Sequence, residues 1–355
     1  MPEIRIALAG VGNCTSSLIQ GIYYYKNVKK SDNFVPGLMH PVIGGYGVSD
    51  IRPVVAFDID IRKVGKDLSE AIWAGSNCTV KFCDVPQIGA KVQMGPVKDG
   101  APDFLRKYVK TSNVQPVEDV AKVLKEEKVD VLINNLPTGS SEAAWFYAEK
   151  AIEAGCGFVN GIPELIVNNE DFARRAQEAG SSLVGDDYKS QLGGTIQHRA
   201  LINLFLQRGI KIVKSSQLNY GGNTDFWNLI HRGEAKHKSK LRGIESVMPY
   251  EAEFSVNVSH LSLLNDTKVC RIEMWGENFG GTPIKLETKL EVIDSPNSAG
   301  VMVDAIRCCK LAKDRKIGGV LTSVCAYLMK SAPRQFPDEE ARRMLDEFIE
   351  GKRER

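Results

Sequence analysis

The chain has 355 residues, 43% hydrophobic and 25% charged, with a formal net charge of +2. This is a globular composition with room for two domains, and so small a net charge gives no field that argues for nucleic acid or a membrane surface as partner. No apolar run reaches the ~18 residues of a membrane span, and the chain enters a strand within its first residues without a leader pattern, which points to the cytoplasm.

In chain order, Ile4 to Ala9 reads as a buried strand, followed at once by Gly10 and Gly12 and then by a helix through Leu18, Ile19 and Ile22. Strand, glycine turn and helix open a dinucleotide-binding βαβ unit. The first glycine permits the turn, the second lets a pyrophosphate approach the backbone, and the helix start offers N–H groups to the phosphates. The match is partial, because Thr15 stands where a third glycine is expected. Val54 to Asp60 reads as the second strand, after a Tyr-, Gly- and Pro-rich insertion over 23–49. Its carboxyl end offers Asp58 or Asp60 to a ribose hydroxyl; Asp58 comes first and is preferred.

Helix periodicity over 64–74 and a strand-like segment over 78–85 come next, then a loop at 95–100. A charged amphipathic helix over 117–128 leads into a buried strand, 129–136, that ends in Asn134 and Asn135. The turn through Pro137, Thr138 and Gly139 starts a helix that stops at Gly155. Further alternation gives a strand at 158–161, a helix at 170–179 and a strand at 182–187. Alternating strands and helices predict an α/β, Rossmann-like, doubly wound parallel sheet, with ligands beyond the carboxyl ends of its strands. Asn134, Asn135, Thr138, Asn160, Asp186, Asp187 and Lys189 are the polar residues placed there.

The texture changes near residue 196. A helix over 195–207 precedes a strand at 210–213, a polar stretch over 217–226 containing Gly221 and Gly222, and the basic run Lys236 to Lys240. The segments 254–258, 268–275 and 284–292 alternate in period two, as half-buried antiparallel strands do. The expected layout is a nucleotide-binding domain over 1–195, an inserted α+β, β-rich domain for catalysis and oligomerisation over 196–295, and helices over 296–355 that return to the first domain. The eight cysteines form no C-x-x-C pair and read as small buried hydrophobes.

Lys236 and Lys240 are four residues apart and share a face if the run is helical. Alone they read as a solvated basic face. Beside the polar glycine stretch and Lys268, a cluster of ammonium groups suits an anionic substrate such as a sugar phosphate, and mutual repulsion with burial would lower a lysine toward neutrality for proton transfer.

The strings Ala9 to Cys14, Val35 to His40, Ala56 to Asp60, Val184 to Gln191, Gln217 to Asn223, Asp294 to Gly300 and Ala326 to Ser331 resemble the myo-inositol-phosphate synthases in their short prokaryotic form. The resemblance covers nearly the whole chain. It implies conversion of glucose 6-phosphate to inositol 1-phosphate without net redox change: oxidation at carbon 5 with NAD, deprotonation at carbon 6, attack of carbon 6 on the carbon 1 aldehyde, and re-reduction. It implies catalytic roles for Lys236, Lys240, Lys268, Lys330, Asp187, Asp225 and Asp294. Lys236 would move a proton at the carbon 5 oxygen, Lys240 and Lys268 would hold phosphate or oxyanions, and Lys330 would polarise the aldehyde. The cofactor would lie against Gly10, Gly12, Asn13, Cys14, Asp58, Asn135, Pro137, Gly139 and Asp186, and the substrate against Asn219, Gly222, Asn223, Lys240 and Lys268. It also implies a homotetramer formed through the β-rich domain and admits a divalent cation, for which the sequence names no ligand cluster. The longer eukaryotic forms carry a further lysine where this chain has Ile196 to Arg199. An ordinary NAD(P)-dependent dehydrogenase and a non-catalytic nucleotide-binding regulator are the competing readings.

Overall fold

The computed structural model describes residues 3–29, 31–232, 244–245 and 248–355. Seven strands form a parallel sheet in the order β11-β6-β5-β4-β1-β2-β3. They are β1 (Ile4–Ala9), β2 (Ile51–Asp58), β3 (Val92–Met94), β4 (Val131–Asn134), β5 (Gly157–Asn160), β6 (Ser182–Val184) and β11 (Gly319–Val320). The strand order reverses between β1 and β4, so a crevice opens beyond their carboxyl ends, where ligands of such sheets bind.

Helix α1 (Asn13–Tyr24) packs with the long helix Asp294–Asp314, which also lies against β5 and β6. These strands are apolar on both faces because helices cover both; Ile6, Leu8, Ile133 and Phe158 are fully buried. One large apolar cluster joins these strands to Ile306, Cys309 and Leu345 of the last helices. Cys156, Cys270, Cys308, Cys309 and Cys325 are buried, while Cys14, Cys78 and Cys83 are half-buried.

The second sheet has the order β10-β9-β7-β8: β7 (Lys211–Gly221), β8 (Glu253–His260), β9 (Thr267–Glu277) and β10 (Pro283–Ile293). Helix α6 (Gly194–Gln207) covers one face, with Ile202 and Phe205 packed on Ile272 and Met274. The other face carries Leu218 exposed, with Trp275 flanked by Lys214 and Lys285 at 5.0 and 5.1 Å.

Three expectations need correction. The segment 78–85 is not a strand, because side chains of α1 take its backbone donors: Asn13 Oδ1 accepts from the N–H groups of Cys78 and Thr79, and Gln20 Oε1 from those of Phe82 and Cys83. The third parallel strand is β3, further along. Of the helix expected over 64–74 only Leu68–Ala71 forms, capped by Asp67. In the second sheet, β7 runs on through Gln217 to Gly221, and β8 pairs with it in parallel rather than antiparallel fashion.

Candidate active site

The cleft lies where the carboxyl ends of β1, β2 and β4 meet one end of the second sheet, with a volume of about 1810 Å³ including its open mouth.

Its floor is the glycine turn. Gly10 has a φ of +92°, and a Cβ there would stand 2.7 Å from the Asn135 carbonyl oxygen. Only glycine suits both the backbone and the close approach of β4. Gly12 faces open space and precedes α1 without a side-chain cap, so the helix start at Asn13 is left to an anion. Thr15, in place of a third glycine, donates its hydroxyl to the Gly10 carbonyl at 2.7 Å and so braces the turn.

Asp58 ends β2 with one carboxylate oxygen accepting from Val11 N and the other from Ile59 N and Asp60 N, all within 2.9 Å. Each oxygen retains acceptor capacity for a ribose hydroxyl. Asp60 is engaged elsewhere: Arg62 grips both its oxygens, and although burial pushes the Asp60 carboxyl up, that guanidinium brings it below the usual carboxylate range. Asn13, Cys14, Asn135 and Pro137 also line the cleft.

Two lysine–carboxylate pairs line the opposite wall. Lys330 Nζ meets Asp187 Oδ1 at 2.9 Å, and both residues are at least nine-tenths buried. A main-chain bond from Lys330 N to the Asp187 carbonyl at 2.7 Å ties the two segments together. Lys268 Nζ meets Asp294 Oδ1 at 2.9 Å. Strand register creates this second pair: Lys268 faces Val292 across the antiparallel β9–β10 ladder, and Asp294, two residues beyond Val292, is its diagonal neighbour. Asp225 accepts from Thr138 Oγ1 at 3.2 Å, joining the start of α7 (Thr224–Arg232) to the turn after β4. Asn219 and Asn223 complete this wall.

Three expected residues sit behind the cleft instead. Asp186 is fully buried and accepts from Asn160 Nδ2, Asn168 Nδ2 and Val167 N, which joins the ends of β5 and β6; burial pushes its carboxyl up to about 7. A Cβ on Gly139 would meet the Arg232 side chain at 2.9 Å, and one on Gly222 would meet Asn265 N at 2.4 Å. Each glycine thus serves a close contact between chain segments. Lys236 and Lys240 lie outside the described residues.

Other residues of the site gave no clear sequence signal. Lys63 is buried under the glycine turn, donating to the Val11 carbonyl at 2.8 Å and to Asn77 Oδ1 at 3.1 Å. Asp266, pushed up by burial, gathers Asn223 Nδ2 and Ser295 Oγ, both at 2.8 Å, behind Lys268 and Asp294. Helix α6 starts behind Gly193 with no side-chain cap and no acidic residue in its first turn, and Gly193, Gly194 and Thr195 line the cleft. This is a second helix start directed at the site, beside two lysines, and suits an anion. The Gly-Gly-Thr string was its only legible signal.

The curated inositol-3-phosphate synthase of Corynebacterium glutamicum is 48% identical to this chain, over 98% of each. The chain belongs to the myo-inositol-1-phosphate synthase family. The inositol-3-phosphate synthase of Mycolicibacterium smegmatis is likewise 48% identical over 98% of each chain. The sequence profile of the family described as Myo-inositol-1-phosphate synthase matches residues 193–295. A crystal structure of a myo-inositol-1-phosphate synthase-related protein from Thermotoga maritima superposes with a TM-score of 0.80, covering 98% of both chains at 23% identity, a likeness of fold.

Proposed function

We propose that this member of the family converts glucose 6-phosphate to inositol 1-phosphate with NAD as its resident cofactor. The observation that carries the reading is the convergence of two Lys–Asp pairs, the buried Lys330–Asp187 and the half-buried Lys268–Asp294, on the same cleft as the glycine turn. An ordinary hydride-transfer site needs one acid or base. An aldol closure framed by oxidation and reduction needs cations at two carbonyl oxygens and a base for carbon 6.

The residues fit NAD: Gly10 and Gly12 clear the floor, α1 starts at it, and Asp58 stands at the end of β2. When bound, the cofactor supplies reversible hydride acceptance at carbon 5. The remaining work falls to the chain. Lys236 moves the proton at the carbon 5 oxygen. Lys268, oriented by Asp294, and Lys240 hold the phosphate or the charge that develops once carbon 6 is deprotonated. Lys330, oriented by Asp187, polarises the carbon 1 oxygen as carbon 6 attacks it. The start of α6 at Gly194 adds backbone N–H groups for the phosphate. Among the described residues no three His, Cys, Asp or Glu side chains gather as a metal centre, and no step here is assigned to a divalent cation.

The β-rich segment 196–295 serves both catalysis and assembly into a homotetramer, and the sheet face that carries the exposed Leu218 and the half-buried Trp275 among the described residues is a surface suited to it. Among the described residues no helix is long and apolar enough to cross a membrane, and the cytoplasm is the compartment that fits the substrate. The test is incubation with glucose 6-phosphate and NAD, with the product identified by phosphorus and proton NMR. Inositol 1-phosphate is expected; a phosphorylated lactone or keto sugar would move the chain to the dehydrogenases.

A further inference from the structure

Residues 96–111 leave the parallel sheet after β3 and return beside the end of β2. Gly95 N donates to the Asp58 carbonyl at 3.0 Å, and Ser112 N donates to the Ile59 carbonyl at 2.8 Å, so both ends of the loop hang from consecutive residues. Close ends, with a turn of its own at Asp103–Leu105 that buries Leu105, make this an Ω-loop, a compact form that is frequently functional. Its inner side lines the cleft with Pro96, Lys98, Gly100 and Val109.

The middle of the loop is fastened to α7, which belongs to the β-rich segment. Trp227 Nε1 donates to the Phe104 carbonyl at 3.0 Å, and Lys107 Nζ stands 4.5 Å from the centre of the Trp227 ring. Phe104 stacks on His231 with ring centres 4.5 Å apart and planes 7° from parallel. Arg232 Nη1 donates to the Asp99 carbonyl at 2.9 Å, and the Asp99 carboxylate accepts from Glu142 N and Ala143 N at the start of the helix Ser141–Ala154. Trp227 and His231 are four apart and share one face of α7, whereas Phe226 and Leu229 line the cleft.

We propose that this loop is a strap latched by Trp227, and that the latch sets how long the dinucleotide stays and so whether carbon 5 ends reduced or oxidised. This rests on the function proposed above.

At carbon 5 the substrate gives a hydride to NAD and its hydroxyl proton to a base of the chain, leaving a ketone and NADH. There is no net redox change only if the hydride returns to that same ketone after the ring has closed. Loss of NADH before the return strands a keto sugar phosphate, oxidised by two electrons. A chain that runs this sequence must therefore hold its cofactor longer than a dehydrogenase, which releases it in every turnover. The strap stands where such holding acts, because Asp58 offers its carboxylate to the ribose and carries the root of the strap on its carbonyl. The latch groups all join protein to protein. Weakening them raises the fraction of time the strap is open, for exit and entry alike.

The test measures NADH release, by chasing bound NADH with excess NAD and recording its fluorescence, and NADH entry, by stopped flow. Trp227→Leu removes the N–H and the ring. Release and entry are both expected about tenfold to thirtyfold faster, the effect of one neutral hydrogen bond and one cation–ring contact, with affinity within about twofold of wild type. Trp227→Phe keeps a ring and loses the hydrogen bond, for about fivefold. Lys107→Ala and Phe104→Leu loosen the latch from the strap's side, about two- to fivefold each, and carry the test if Trp227→Leu does not fold. With glucose 6-phosphate, Trp227→Leu is expected to accumulate NADH and keto sugar phosphate in equal amounts, and the wild type neither. Wild-type release rates in these variants, faster release with unchanged entry, or fast release without accumulation of NADH overturns the latch. A wild-type chain that binds NADH but does not convert glucose 6-phosphate fails the proposed function, and the release and entry rates then judge the strap alone.

Discussion

Replacing Lys330 with methionine separates chemistry from stability at the centre of the site. Methionine keeps the length and most of the volume of lysine, and the bond from the residue 330 N–H to the Asp187 carbonyl at 2.7 Å survives. What disappears is the ammonium 2.9 Å from Asp187 Oδ1, in a pair at least nine-tenths buried on both sides. Removing one partner of a buried pair costs about 3–5 kcal/mol, because the remaining charge has lost its counter-ion in a medium that solvates it poorly. If Lys330 also stabilises the oxyanion at carbon 1, turnover should fall about 10²- to 10³-fold, the effect of losing one preorganised donor. The double variant Lys330→Met with Asp187→Asn is expected to regain most of the stability, since no unpaired charge is left, and none of the turnover. Urea midpoints give the first quantity and product formation by phosphorus NMR the second. A folded Lys330→Met chain that turns over at the wild-type rate would falsify the assignment, and a double variant with restored turnover would show that the loss had been structural.

Asp58→Asn should weaken NAD binding by about 1–3 kcal/mol in calorimetry, through loss of a charged acceptor for the ribose; unchanged affinity would take Asp58 out of the cofactor site. Gly10→Ala should abolish NAD binding or folding, because its Cβ would stand 2.7 Å from a backbone oxygen at a φ of +92°; wild-type affinity in a folded variant would contradict the close approach of β4. His198 makes stability depend on acid. Its folded value of about 4 lies below the ordinary 6.5, so between these pH values the unfolded chain binds the extra proton. The stabilisation is complete above pH 6.5 and is lost as pH falls through about 4, amounting to about 2 kcal/mol by pH 5. Urea midpoints of wild type and His198→Asn should therefore converge as pH falls from 7 to 5; parallel profiles would mean that His198 titrates normally.

Features set by neighbours in sequence were legible without a structure. Gly10, Gly12 and Asp58 follow strands whose apolar runs are plain, and the strand order then places them together. Features set by tertiary partners were not. The segment 78–85 has a strand's composition but lies along α1, where Asn13 and Gln20 hold its N–H groups. Adjacent residues at the end of β6 divide: Asp186 turns inward to Asn160 and Asn168, while Asp187, at a φ of +64°, turns to Lys330. No local pattern says which of two consecutive aspartates does which. The pairing of Lys268 with Asp294 depends on the β9–β10 register between residues 26 apart in the chain; family likeness named these two residues, but not their contact. His198 falls in the helix expected over 195–207, and its contacts with Ser215 and Gln217 follow only from β7 packing against that helix.

The claim that the chain oxidises and then reduces the same carbon is tested most directly with glucose 6-phosphate carrying deuterium at carbon 5. The account predicts inositol 1-phosphate that keeps the deuterium on the matching ring carbon, with no accumulation of NADH while substrate is consumed. Accumulation of deuterated NADH in step with substrate loss, and a product oxidised at carbon 5, would contradict it.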